Sequence, residues 1–269
     1  MDENLKKVLL NKKQSGWLET NDEKFGQIFE FCNGYMDFLN HAKTEREFAA
    51  KAKELAESKG FKDVNQLEKL NPGDKVYFLN REKSIYFAVM GKQALENGLH
   101  IVGAHIDSPR LDLKPNPLYE EGEIAYFNTH YYGGIKKYQW TTIPLSIHGV
   151  IIKANGEKIT VNIGEDESDP IFTITDLLPH LAKDQLTKRL NDAIEGENLD
   201  LLVGSIPIID EKVKSKVKLN ILKILNEKYG ITESDFISSE LELVPAFKAR
   251  SLGFDYGMVA RIWSRWQSM

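Results

Sequence analysis

The chain has 269 residues, of which 42% are hydrophobic and 28% charged, with a formal net charge of -5. This is a soluble globular composition, long enough to bury its own core as one large domain or two ordinary ones. The acidic balance argues against a nucleic-acid binder, the single cysteine excludes a disulfide framework or a cysteine zinc knot, and no apolar run is long enough for a bilayer.

In chain order, the charged opening "MDENLKKVLLNKKQSGW" is not a signal peptide, and with one thiol it fits a cytoplasmic protein. A helix is predicted over 22–41, where Phe25, Ile28, Phe29, Cys32, Tyr35, Met36 and Leu39 recur at helical spacing. Cys32 is read as a small core hydrophobe on that stripe. A second helix is predicted over 44–58, with Thr44 and Glu47 as a capping box and Gly60 just past its end. "VYFLN" and "IYFAVM" then read as a hairpin. "GLHIVGAHIDSP" is apolar and β-branched, and reads as a central strand over 99–106, buried on both faces. From 110 to about 175 short alternating stretches separated by turns give an all-β texture. Helices are predicted for "DQLTKRLNDAI" and for "KSKVKLNILKILNEKYG", the latter closed by Gly230, before "DFISSELELVPAF" returns to a strand.

His105 and Asp107 lie two apart on the predicted strand, so their side chains share a face. A histidine with a carboxylate beside it suits a metal ligand and the group that orients it. On spacing alone, a hydrogen-bonded structural histidine is the stronger reading. His41, His130 and His148 show no partner pattern and read as structural or exposed, and His100 marks the strand's entrance. His180, after a proline in "DLLPHLAKD", reads as a surface or capping residue. Gly133-Gly134 lacks phosphate-loop spacing, and the lysines and aromatics of "YYGGIKKYQW" are a weak nucleic-acid signal.

The ordered set "GAHIDSPRLDLKP", "YYGGIKKYQW", "PLSIHG" and "LLPHLA" resembles the aspartyl aminopeptidase/aminopeptidase I family of metallopeptidases, closest to its bacterial branch. The resemblance runs from the first helix to about Ala260. It implies an α/β fold: a phosphorylase/hydrolase-like zinc-peptidase catalytic domain begun by residues 1–109, with a β-rich dimerisation domain inserted at 110–245 and a return to the catalytic domain over 246–269. It implies two Zn2+ ions per active site, with Co2+ or Mn2+ as substitutes, removing single N-terminal residues from peptides. His105 then matches a metal ligand, and Asp107 the catalytic-site carboxylate that orients it. His180 matches the histidine given by the inserted domain as metal ligand or substrate contact, in trans from a neighbouring subunit. Cytoplasmic homo-oligomers, dimer-based and up to dodecamers, follow from the same resemblance, with no nucleic-acid or membrane partner.

The family continues past this point with most of its metal ligands and the general base. Here the chain ends "RIWSRWQSM". That tail can be encoded by a string which, read one nucleotide later, gives Gly-Tyr-Gly-Gln-Asp-Gly-Arg-Val, one residue different from the family continuation. The expectation is a frameshift near Ala260, with 261–269 out of frame and the 269-residue chain inactive. The alternative is a non-catalytic interaction protein that oligomerises with a full-length homologue through the dimerisation domain.

Overall fold

The structure is a computed structural model that describes Leu5, Leu9, Leu10 and residues 14–261. Of the proposed out-of-frame tail, 261–269, all but Arg261 lies outside the described residues. Helix α1 (Asp22–His41) is capped by the Asn21 side chain, which accepts from the Lys24 amide. Helix α2 (Glu45–Ser58) starts with the capping box: Thr44 Oγ1 accepts from the Glu47 amide, and Glu47 accepts from the backbone of Thr44 and Lys43. A short strand β1 (Lys62–Asp63) and the hairpin β2 (Lys75–Asn80) and β3 (Ser84–Val89) form a three-stranded sheet.

The main body is a six-stranded antiparallel sheet in the order β7-β6-β9-β4-β5-β8. Its strands are β4 (Arg110–Glu121), β5 (Ile124–Tyr132), β6 (Leu145–Ile152), β7 (Lys158–Ile163), β8 (Leu201–Gly204) and β9 (Ser239–Pro245). Helix α3 (Lys183–Thr187) precedes β8, and α4 (Lys216–Tyr229) ends at Gly230, whose left-handed backbone (φ 62°) suits glycine. A last small hairpin pairs β10 (Arg250–Leu252) with β11 (Met258–Ala260).

Period-2 alternation divides the six-stranded sheet into two unlike faces. Leu111, Ala125, Phe127, Leu145, Ile147, Ile151, Leu241 and Leu243 face one way and pack with Val217 of α4 and with Phe236. The intervening residues Arg110, Asp112, Ser146, His148 and Glu242 share the opposite face. Asp112 lies opposite Glu242 and Glu242 opposite His148, a row of ionisable residues across β4, β9 and β6. The residues that lead into and begin α2 cover this face with counter-charges. Arg110 makes paired bonds to Glu45 at 3.0 and 3.3 Å. Lys43 reaches Glu165 at 2.6 Å, Arg46 reaches Glu240 at 2.7 Å, and Lys83 pairs with both Glu45 and Glu240. His148 lies between Glu47 (2.6 Å from Nδ1) and Glu165 (3.0 Å from Nε2). A carboxylate only accepts, so both ring nitrogens donate and the ring is an imidazolium. Burial pulls the His148 pKa down, but its bonds to Glu165 and Glu47 outweigh that and raise it. Burial likewise opposes the bonds from His148 and Lys43 to Glu165, which hold that carboxyl down at about 2.

Glu242, 2% exposed, behaves differently. Burial first, then the charge of Glu45, push its carboxyl up to about 8 against the pull of Arg110. The Arg110 Nε–H, 3.2 Å from Glu242, is donated to Asp112 at 2.7 Å, so Glu242 receives the charge without that hydrogen bond.

Three expectations fail here. Residues 98–109 form no strand, with Ile101 83% and Val102 99% exposed, because no described strand lies alongside to complete a ladder. The helix expected for "DQLTKRLNDAI" stops at Thr187, leaving turns beyond it. Cys32 is only half-buried, and α1 has no buried residue, since its apolar stripe is covered only in part, by Trp17 against Phe25 and Ser251 against Met36.

Two outcomes are expected. A Cβ at Gly149 (φ 138°) would lie 1.9 Å from the Glu240 carbonyl oxygen, so Gly149→Ala should destabilise the chain by roughly 3 kcal/mol or more in urea unfolding. The pH dependence has a definite sign. The His148 contribution is complete below its ordinary value of 6.5 and is lost as pH climbs through the raised folded value. Glu242 acts in the same direction, because a carboxyl kept neutral by the fold is penalised progressively from pH 4.5 up to about 8. Glu165 acts oppositely, losing its contribution only as pH falls from 4.5 through about 2. Stability should peak near about pH 5, and Glu242→Gln should gain roughly 1–3 kcal/mol over wild type near pH 9. An unchanged alkaline slope in that variant would mean Glu242 is already ionised at neutral pH.

Candidate metal-ligand site at the sheet's edge

The exposed run 98–109 enters β4 through Ser108 and Pro109, and this junction holds His105 and Asp107 beside the last residue of β5. His105 Nδ1 lies 3.0 Å from the Asp107 carbonyl oxygen and 3.1 Å from its Oδ1. Both partners only accept, so Nδ1 carries the proton, and metal ligation falls to Nε2. The second Asp107 oxygen, Oδ2, accepts from the Tyr132 hydroxyl at 2.8 Å. That bond is the leading cause holding the Asp107 carboxyl below its ordinary value; burial opposes it, and the bond from His105 adds to the lowering.

Tyr132 is the register partner of Arg110 across β5 and β4. The Arg110 guanidinium sits over its ring, 4.2 Å from the centroid. Arg110 in turn is clamped by Glu45, Asp112 and Glu242. One continuous chain of contacts therefore runs from the first turn of α2, through the charged sheet face, to His105. Sequence reasoning left out Tyr132 and Arg110. The only signal was their position inside two of the ordered motifs, and they pair only once the β4–β5 register is known.

His180 lies in an exposed turn before α3, and the bonds given above for His105 and Asp107 do not include it. Among the described residues, the group of three or more possible donors within 4.8 Å of one another is Glu45, Glu240 and Glu242. Lys83 and Arg110 already pair with these carboxylates, so this group is an ion-pair network rather than an open cation site. His148, read as structural or exposed, is buried within the same face. For zinc, the chemistry of the donors fits in part. A Nδ1-protonated imidazole backed by a carboxylate is one arm of a zinc site, while a catalytic zinc takes three protein ligands. Among the described residues, no helix is long and apolar enough to cross a membrane.

Comparison with known proteins gives the chain's relatives. The profile of the family described as "Aminopeptidase I zinc metalloprotease (M18)" matches residues 38–262. A probable M18 family aminopeptidase 1 of Clostridium acetobutylicum is 50% identical over 255 residues, covering 93% of this chain and 55% of that protein. The crystal structure of an M18 family aminopeptidase from Thermotoga maritima superposes with a TM-score of 0.87 at 46% identity, covering 93% of this chain and 54% of that one. A structure described as the dodecamer of mApe1 from Saccharomyces cerevisiae shares the fold, with a TM-score of 0.60 at 21% identity, over 85% of this chain and 51% of that one. The chain spans about half the length of the curated relatives it matches.

Proposed function

Because the chain belongs to the aminopeptidase I zinc metalloprotease (M18) family, we propose that it carries one arm of a zinc aminopeptidase site, His105 with Asp107. These 269 residues alone do not turn over peptides. The observation that carries the reading is the fixed geometry at His105: Nδ1 is engaged by both oxygen acceptors of Asp107, which directs Nε2 to the metal. When bound, zinc supplies Lewis-acid polarisation of the scissile carbonyl. The chain's own part is to hold His105 in the correct tautomer and to keep the Asp107 carboxyl ionised behind it. The reaction of the assembled enzyme is removal of single N-terminal residues from peptides, and the remaining ligands and the general base come from outside the described residues.

In this reading residues 110–245 are the inserted dimerisation domain between catalytic-domain segments 1–109 and 246–269, in a cytoplasmic homo-oligomer. His180 is offered to a neighbouring subunit's site as metal ligand or substrate contact. Its neighbours Leu177, Leu178 and Leu181 are all more than half exposed, which favours burial of this turn against another subunit. The same observation supports the second reading, a non-catalytic chain that joins oligomers of a full-length homologue.

The purified chain, incubated with zinc, cobalt or manganese and aminoacyl-nitroanilides that include acidic ones, is expected to release no nitroaniline. Metal-dependent turnover proportional to protein would overturn the inactivity. Zinc titration followed by calorimetry should show weak binding that His105→Ala abolishes, and binding untouched by that substitution would remove His105 from the site.

A further inference from the structure

We infer that Tyr132 is a positioning residue for the candidate zinc ligand: its hydroxyl fixes the Asp107 carboxylate so that His105 is held with its proton on Nδ1. The inference rests on the reading of His105 as a ligand, and it concerns a residue outside the His-x-Asp motif. An aspartate beside a histidine has a freely rotating carboxylate unless its far oxygen is tied. Here Oδ1 shares the His105 Nδ1 proton, at 3.1 Å, with the Asp107 carbonyl oxygen at 3.0 Å, while Oδ2 accepts from Tyr132 at 2.8 Å, so one carboxylate is held at both ends. The Tyr132 ring is fixed too. It ends β5 directly opposite Arg110, whose guanidinium covers it at 4.2 Å. Arg110 is immobilised by paired bonds to Glu45 and by Asp112. The chain then turns away at Gly133 (φ 76°), and a Cβ there would lie 3.6 Å from Pro109, which shows how closely the end of β5 approaches the entry to β4. The "YYGG" stretch thus acts mechanically, bringing a hydroxyl donor to the far side of Asp107.

The alternative is a purely structural tie between β5 and the run before β4. That role would change stability but not the proton position on His105. The experiment is 15N-edited imidazole spectroscopy of the full chain at mildly alkaline pH, comparing wild type, Tyr132→Phe and Tyr131→Phe. Phenylalanine keeps the ring under Arg110 and removes only the donor. Wild type and Tyr131→Phe should hold His105 mainly as the Nδ1–H tautomer. In Tyr132→Phe, where the Asp107 carbonyl oxygen still accepts from Nδ1, the population of that form should fall measurably, with the Nδ1 resonance moving from pyrrole-type toward pyridine-type. The buried His148 resonance serves as the gauge that each variant is folded. If Tyr132→Phe retains the wild-type tautomer, or if Tyr131→Phe loses it equally, the inference is overturned. Adding zinc to wild type separates the two claims. A His105 resonance insensitive to zinc removes the ligand reading, while the tautomer result, which needs no metal, still decides the role of Tyr132.

Discussion

A β-sheet with a charged face cannot leave that face to chance, and everything else in this chain follows from how the face is closed. Arg110, Asp112, His148 and Glu242 are drawn together because they alternate with core residues on three strands; burying the apolar side necessarily gathers them on the other. Isolated charges there would cost several kcal/mol each in lost hydration, on the order of the penalty for any buried ion. The residues leading into α2 answer them in kind, with Lys43, Glu45, Arg46 and Glu47 each meeting an opposite charge or a donor on the sheet side. The capping box has a second use in this setting. Glu47 closes the helix end through one oxygen and holds His148 through the other.

The candidate metal-ligand arm depends on the same closure. His105 sits on an exposed run without strand partners, a poor place from which to aim an imidazole. Its direction comes from Asp107 and, through Tyr132 and Arg110, from the buried network. An irregular segment thereby borrows the rigidity of the sheet that follows it. Glu242 is the weakest member of that network, because its nearest cation spends the relevant proton on Asp112.

Much of this was legible in the sequence. Helices α1 and α2, the Thr44–Glu47 box, the first hairpin, strands β4 to β7 and the Gly230 stop all follow from local periodicity and turn chemistry, and the ordered motifs point to the family that comparison shows. What was not legible depends on pairing between distant residues. The Asp112–Glu242–His148 row joins three strands, with the whole of α4 and its loops lying between β9 and the other two, and no local pattern announces it. The stretch "PLSIHG" holds a hint: Ser146 and His148 alternate with leucine and isoleucine, so one face of that strand had to be polar. The run 99–106 failed for the opposite reason. Its composition suits a strand, but a strand exists only with neighbours, and composition says nothing of where those are.

The ion-pair seam also bears on inheritance. Three of its contacts join a residue near the start of α2 to one more than sixty positions away, Lys43 to Glu165, Glu47 to His148 and Glu45 to Arg110. A change on one side leaves an orphaned charge on the other, so neither side can drift alone. The helix and the sheet are fitted to each other as key and lock. A chimaera that took its first hundred residues from one relative and its sheet from another would inherit two good halves and a joint that matches neither.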